Sequence, residues 1–189
     1  MTALDTSKTV AVIGAGTMGA GIAQVAAAAG HPVLLFDVAD GAARAAIVTI
    51  GKGLDRLVTR EKISRETADA IVGRIVPANG LETLSGAALV IEAIIENLDI
   101  KQALFAELED IVVADAILAT NTSSISVTSI ARDLRAPARV AGLHFFNPAP
   151  VMKLVEIVSG RMTDPAIAET LFDTATTWGK IAVHTRSTP

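Results

Sequence analysis

A glycine-rich turn between two apolar runs constrains the fold of this chain more than any other feature. The segment VAVIGAGTMG, which begins at Val10, places Gly14, Gly16 and Gly19 in the spacing G-x-G-x-x-G. In a dinucleotide-binding fold the first glycine permits a tight turn after a strand, the second lets the backbone approach a pyrophosphate, and the third lets helix and strand pack closely. The start of the following helix supplies free N–H groups, so phosphates are the expected ligand.

An acidic residue stands where a nucleotide ribose is expected. Asp37 follows the apolar run 33–36, about twenty residues beyond the glycines, and a carboxylate there accepts hydrogen bonds from both ribose hydroxyls and repels a 2′-phosphate. The pattern therefore favours NAD over NADP. Two alternatives stay open at this point: FAD uses the same turn, and the glycines and Asp37 could serve only a turn and a helix cap.

Apolar runs alternate with helical patterns along the rest of the chain. The predicted strands are 10–13, 33–36, 89–95, 117–119, 140–146, 154–158 and 181–185, and the predicted helices are 17–29, 40–59, 64–72, 99–111, 127–132 and 165–178. Glycines at 51 and 53 are expected to interrupt the second helix. This alternation predicts an α/β fold, a Rossmann-type, doubly wound, mostly parallel sheet flanked by helices, with a helical insertion after the second strand.

Composition excludes several classes of function. The 189 residues contain no cysteine, which excludes disulfides, thiolate nucleophiles and cysteine-ligated metals, and no metal site is predicted. A net charge of −4 without a basic, aromatic-rich patch argues against nucleic acid. Residues 9–36 lack acidic and Lys/Arg side chains, but their glycines and Pro32 favour a β-α-β unit over a membrane span. The first residues lack a secretory signal, so a cytoplasmic location is expected.

The stretch HFFNPAPVMKLVE, from His144 to Glu156, carries the candidate chemistry. Oxidation of an alcohol by NAD needs a base for the hydroxyl proton, and histidine has a pKa suited to that role. Glu156 lies within an apolar run, where a buried carboxylate needs a partner, and an imidazolium is a plausible one. On these residues alone, His144 as an ordinary packing histidine remains the competing interpretation. His31 and His184 are expected to be surface or packing residues.

Four separated motifs then point to a known family. GAGTMGAGIAQ, EAIIENLDIK, TNTSSIS and LHFFNPAPVMKLVEIV together resemble the L-3-hydroxyacyl-CoA dehydrogenases, which include the bacterial 3-hydroxybutyryl-CoA enzymes of fatty acid metabolism and β-oxidation. The resemblance implies NAD-dependent oxidation of a (3S)-3-hydroxyacyl-CoA to the 3-oxoacyl-CoA. It also implies that His144 is the general base, that Glu156 orients it, and that Ser123 binds near the substrate's 3-oxygen.

The same resemblance assigns the remaining contacts. The cofactor-binding set that it implies is Gly14, Gly16, Thr17, Met18, Gly19, Asp37, Glu96, Lys101, Ser123 and Asn147. Without the resemblance, Glu96 would be read as a solvated acid and Lys101 as a surface lysine. For the acyl-CoA substrate the family uses a serine and a lysine, and Gly53 and Arg60 stand at those places here. This substitution keeps a cation but removes a hydroxyl; Lys52, Arg56 and Lys62 are alternatives, although a basic run there is usually only solvated.

The end of the chain departs from the family. Family members continue after Thr-Pro into an all-helical C-terminal domain that closes the active cleft and carries the homodimer contact. Residues 1–189 are therefore expected to be one NAD-binding domain that binds NAD better than it catalyses. Two other functions stay open: an NAD-dependent dehydrogenase of a free hydroxy acid such as a sugar acid, and a non-catalytic NAD-binding module.

Overall fold

Eight strands form one sheet in the computed structural model, which describes residues 3–187. They are β1 (Val10–Ile13), β2 (Val33–Phe36), β3 (Ile75–Pro77), β4 (Leu89–Glu92), β5 (Ile117–Thr120), β6 (Val140–Phe145), β7 (Leu154–Ser159) and β8 (Ile181–Arg186). Their order is β3-β2-β1-β4-β5-β6-β7-β8, and β6 and β7 pair antiparallel while the other neighbours pair parallel. The order reverses at β1 and β4, where a doubly wound sheet opens a binding crevice.

Helices cover both faces of this sheet. They are α1 (Thr17–Ala28), α2 (Ala42–Thr59), α3 (Arg65–Gly73), α4 (Leu98–Ile111), α5 (Val127–Ala131) and α6 (Pro165–Thr177). Helices α1, α2, α3 and α6 pack on one face of the sheet, and α4 and α5 pack on the other. All four residues of β1 are buried, which explains why this strand is a continuous apolar run. The expected fold class, including the helical insertion α2–α3 after β2, is confirmed.

The structure corrects three expectations drawn from the sequence. Helix α2 runs through Gly51 and Gly53 without interruption, since Ile50 and Leu54 are buried beside them and offset the cost of the glycines. Strand β3 was not predicted, and the strand expected over 89–95 ends at Glu92 because the chain turns there towards α4. The Thr-Pro pair at residues 188 and 189, after which a further domain is expected, lies outside the described residues. In the described part, no helix combines the length and apolarity needed to cross a membrane.

Candidate functional site

The glycine turn has the tight geometry that its spacing predicts. Gly14 has a φ of +100°, and a Cβ built on it would lie 2.5 Å from the carbonyl oxygen of Ala93. A Cβ on Gly19 would lie 1.7 Å from the carbonyl oxygen of Gly14, so a side chain there would force α1 away from β1. Around Gly16, in contrast, a Cβ would meet nothing within 4 Å, and this open side of the turn leads into the cleft.

A cleft of about 480 Å³ lies over this turn. It is lined by Ile13, Gly14, Gly16, Thr17, Met18, Asp37, Val38, Ala93, Ile94 and Ile95. The Asp37 carboxylate accepts hydrogen bonds from the backbone N–H groups of Ala15 at 2.7 Å and Ala39 at 2.9 Å, which fixes it at the end of β2. Val38 and Ile95 are 91% and 65% exposed, and they offer apolar surface to a planar base. These features fit NAD, with its phosphates at the start of α1.

His144 and Glu156 meet beyond the other end of the cleft. They are paired residues of the antiparallel strands β6 and β7, and the His144 Nδ1 lies 2.8 Å from Glu156 Oε2. The side chains are 16% and 31% exposed, so the pair lies partly inside the protein with one open side. Because a carboxylate oxygen accepts hydrogen bonds, Nδ1 is the donor in this contact, and Nε2 is the ring nitrogen that remains for another partner.

Ser123 shares a cavity with this pair. The cavity, of about 200 Å³, is lined by Ser123, His144, Glu156 and by hydroxyl-bearing side chains of the neighbouring loop and of β8. The backbone N–H of Ser123 donates to Glu96 Oε1 at 3.1 Å, and Ser124 donates to the same oxygen from its N–H and its hydroxyl. Glu96 therefore anchors the loop that brings Ser123 to the histidine.

Glu96 is ionised across the physiological pH range. Partial burial opposes its ionisation, but hydrogen bonds from Thr122 and Ser124 and the charge of Lys101 outweigh it and lower the pKa of Glu96 to about 2. The competing interpretation of a plain solvated acid leaves these contacts out, and a direct cofactor contact by Glu96 stays a prediction.

Lys101 is not a surface lysine either. Its side chain is 1% exposed, and its ammonium lies 2.6 Å from Glu92 Oε1 and 3.3 Å from Glu96 Oε2. Glu92, at the end of β4, is fully buried and also accepts hydrogen bonds from the Ile94 N–H at 2.8 Å and the Thr120 hydroxyl at 2.7 Å. The Lys101 ammonium thus reaches Glu96 rather than the open cleft, and a direct cofactor contact by Lys101 stays a prediction.

The loop between β6 and β7 carries Asn147 and is held from two sides. Lys180, 8% exposed, donates from its ammonium to the carbonyl oxygens of Ala149 at 2.5 Å and Met152 at 2.9 Å. Burial, with Lys153 nearby, lowers the pKa of Lys180. On the other side, a Cβ on Gly21 of α1 would lie 3.1 Å from Pro150, so this extra glycine lets the cofactor helix and the loop pack closely. Asn147 is exposed on this loop.

Some predicted residues lie elsewhere. Arg60 is exposed at the end of α2, on the helical insertion, and lines neither of these two cavities. His31 is fully buried, with Nδ1 3.0 Å from the Lys8 carbonyl oxygen, and His184 stacks on Phe172. Both are packing residues, as expected. Within residues 3–187 no group of three His, Asp or Glu side chains could hold a metal ion.

Sequence reasoning missed Glu92, Lys180 and Gly21. A signal existed for Glu92, because it lies in the apolar run LVIEAII and a carboxylate there needs a partner, as was argued for Glu156. Lys180 and Gly21 gave no local signal, since each acts on a loop distant in sequence.

This fold and site define a dinucleotide-binding α/β domain with a histidine–carboxylate pair at its cleft. The family model described as 3-hydroxyacyl-CoA dehydrogenase, NAD binding domain, matches residues 9–188. The chain therefore belongs to this family, and its cofactor is NAD.

Individual relatives of the chain are named as enzymes of the same family. The 3-hydroxyadipyl-CoA dehydrogenase of Escherichia coli (strain K12) is 52% identical over 182 residues, which make up 96% of this chain and 38% of that protein. The 3-hydroxybutyryl-CoA dehydrogenase of Clostridioides difficile is 40% identical over 179 residues, or 95% of this chain and 64% of that protein. The crystal structure of 3-hydroxybutyryl-CoA dehydrogenase from E. coli K12 has a TM-score of 0.96 at 51% identity and covers 98% of this chain and 39% of that one.

The chain spans less than two thirds of the length of each of these relatives. Their names agree on a 3-hydroxyacyl-CoA dehydrogenase and differ in the acyl group.

Proposed function

We propose that this chain is the NAD-binding domain of an enzyme that interconverts a (3S)-3-hydroxyacyl-CoA and a 3-oxoacyl-CoA. The observation that carries the proposal is the His144–Glu156 pair, with Nδ1 and Oε2 2.8 Å apart, placed beside a cleft that fits NAD. Family membership and the names of the relatives support the same reaction.

His144 acts as the proton acceptor in this proposal. Its Nε2 takes the proton of the substrate's 3-hydroxyl group while bound NAD supplies the acceptor for the hydride. The Glu156 carboxylate accepts the hydrogen bond from Nδ1, which fixes the tautomer and stabilises the imidazolium that forms. In the direction of reduction the same nitrogen returns the proton to the oxygen.

The other assigned side chains position the reactants. Ser123 donates a hydrogen bond to the 3-oxygen, and Glu96 supports this role because it holds the Ser123 loop in place. Asn147 faces the nicotinamide ribose from the β6–β7 loop. Gly14, Gly16, Thr17 and Met18 hold the phosphates, and Asp37 holds the adenine ribose. Gly19 contributes by letting α1 pack closely on the turn, and Lys101 supports Glu96 through its ammonium.

The acyl-CoA is bound partly outside these cavities. Arg60, exposed on the helical insertion, supplies a cation for a CoA phosphate, and Gly53 offers no hydroxyl to accompany it. We further propose that the complete protein closes the cleft with a C-terminal helical domain, forms a homodimer through that domain, and works in the cytoplasm.

The test uses the complete protein and NADH absorbance. We expect reduction of a panel of 3-oxoacyl-CoA substrates of increasing chain length, including dicarboxylic ones, because the two Escherichia coli names differ in this respect. Free 3-oxo acids and sugar acids serve as the comparison. Turnover of the free acids with none of the thioesters, or NADH binding without any turnover, would contradict the proposal.

A further inference from the structure

Two carboxylates share one ammonium beneath the cleft. Glu92 is fully buried, and its carboxylate accepts hydrogen bonds from the Lys101 ammonium, the Ile94 N–H and the Thr120 hydroxyl. Glu96 is the second acid in contact with the same ammonium, and its side chain is 37% exposed. In the described part of the chain, Lys101 is the cation that pairs with either acid. The cluster of Glu92, Lys101 and Glu96 therefore carries a net charge of about −1 by formal count.

The position of this cluster relates it to one half of the cofactor. Asp37, at the end of β2, marks the adenosine side of the cleft, and the phosphates lie at the start of α1 beside β1. Continuing in the same direction along the sheet, the next strand ends are those of β4 and β5, where Glu92 and Thr120 are paired residues, and His144 follows on β6. Ile94, which Glu92 holds by its N–H, lines the cleft itself.

The nicotinamide ring has a positive charge in NAD⁺ and none in NADH. A net negative charge near the ring stabilises the oxidised form more than the reduced form, and a buried charge is weakly screened by salt. We propose that the Glu92–Lys101–Glu96 cluster supplies one uncompensated negative charge to the nicotinamide side of the cleft and so favours NAD⁺ relative to NADH. This inference rests on the proposed function. It adds that the protein itself biases the bound cofactor towards its oxidised form.

The test measures the dissociation constants of NAD⁺ and NADH for each variant and compares their ratio. Glu92→Gln keeps the shape of the side chain and brings the cluster to zero net charge. We expect it to weaken NAD⁺ binding relative to NADH binding by about 3- to 10-fold. The double variant Glu92→Gln/Lys101→Met removes one charge of each sign and restores the net charge of −1. The ratio of its NAD⁺ and NADH dissociation constants is expected to lie within about twofold of the wild-type ratio.

Controls separate charge from structure. Glu107→Gln, at an exposed position on α4, changes the net charge of the protein equally and should leave the ratio unchanged. Should Glu92→Gln fail to fold by circular dichroism, Glu96→Gln also gives a cluster of zero charge at a part-exposed position and should shift the ratio in the same direction. The Glu156 charge is constant in every variant and cancels from the comparison.

The outcomes are distinct. Equal loss of affinity for both forms in Glu92→Gln, or a double variant whose ratio shifts as far as the single one, overturns the inference and leaves a structural role only. If the wild-type chain binds neither NAD⁺ nor NADH, the proposed function fails. If it binds both and the ratio does not respond to the cluster's charge, only this inference fails.

Discussion

His144 and Glu156 face each other across strands β6 and β7 as directly paired residues, with Nδ1 and Oε2 2.8 Å apart. Neighbouring residues on an antiparallel ladder point to the same face of the sheet, so the register alone brings the imidazole and the carboxylate together. The acid–base pair is therefore a property of the sheet rather than of a mobile loop.

Substitution of the acid tests the pair in the complete enzyme. Glu156→Gln retains an acceptor for the Nδ1–H but loses the charge that stabilises the imidazolium, and we expect kcat to fall by about 10²- to 10⁴-fold. The dissociation constant for NADH should change little. Steady-state kinetics and NADH titration measure both values, with Glu169→Gln on α6, where the side chain is 62% exposed, as the charge-matched control. Turnover near that of the wild type would show that the Glu156 charge does not assist His144.

The glycine turn offers a pair of matched substitutions. Gly19→Ala places a methyl group 1.7 Å from the Gly14 carbonyl oxygen, so we expect the free energy of unfolding to fall by about 1–3 kcal/mol. Gly16→Ala meets no atom within 4 Å and should leave stability unchanged, while its methyl group blocks the phosphates and lowers NADH affinity by about tenfold or more. Urea unfolding and NADH titration distinguish the two effects. Normal NADH affinity in Gly16→Ala would mean that phosphates do not approach this turn.

The Glu96 anchor predicts a pH dependence of stability. The pKa of Glu96 is lowered from the usual 4.5 to about 2, so the ionised group contributes stability that is fully present above the ordinary value. This contribution is lost as the pH falls towards 2. The difference in unfolding free energy between wild type and Glu96→Gln should therefore be constant from pH about 7 to about 5 and shrink below that. A difference that does not change down to pH about 3 would show that Glu96 is not anchored as described.

The ammonium of Lys180 should stabilise the β6–β7 loop. Lys180→Met removes its hydrogen bonds to the Ala149 and Met152 carbonyl oxygens, and we expect a loss of about 1–3 kcal/mol in unfolding free energy. Lys153→Met, at an exposed neighbouring position, should stay within about 0.5 kcal/mol of the wild type. Chemical denaturation measures both. Equal effects from the two substitutions would rule out a specific clamp by Lys180.

Local signals predicted most of the elements correctly. Ser64 and Asp164 cap α3 and α6 with their side chains, and such caps are local features because they join residues three positions apart or fewer. Strand β3 could not be predicted in this way. Its three residues end in Pro77, and they form a strand because they pair with β2, which is a tertiary effect.

In the candidate site, too, the short-range features could be predicted and the long-range contacts could not. The glycine turn and the acid after β2 are short-range patterns, and His144 and Glu156 were linked by the logic of a buried acid. The partners of Lys101 were not predictable, because the contact between α4 and the end of β4 depends on how the chain turns after Glu92. The helical pattern around Lys101 shows no acid that could be its buried partner. For that reason the sequence alone made Lys101 look like a surface residue.

The register of β6 and β7 also bears on how such a protein can change over time. Since the spacing of the histidine and its acid is set by the ladder, a substitution in the loop between Phe145 and Leu154 can change the contacts of Asn147 without separating the pair. Descendants of this chain could therefore diverge in how the loop meets a cofactor while the histidine and its acid are inherited as a pair.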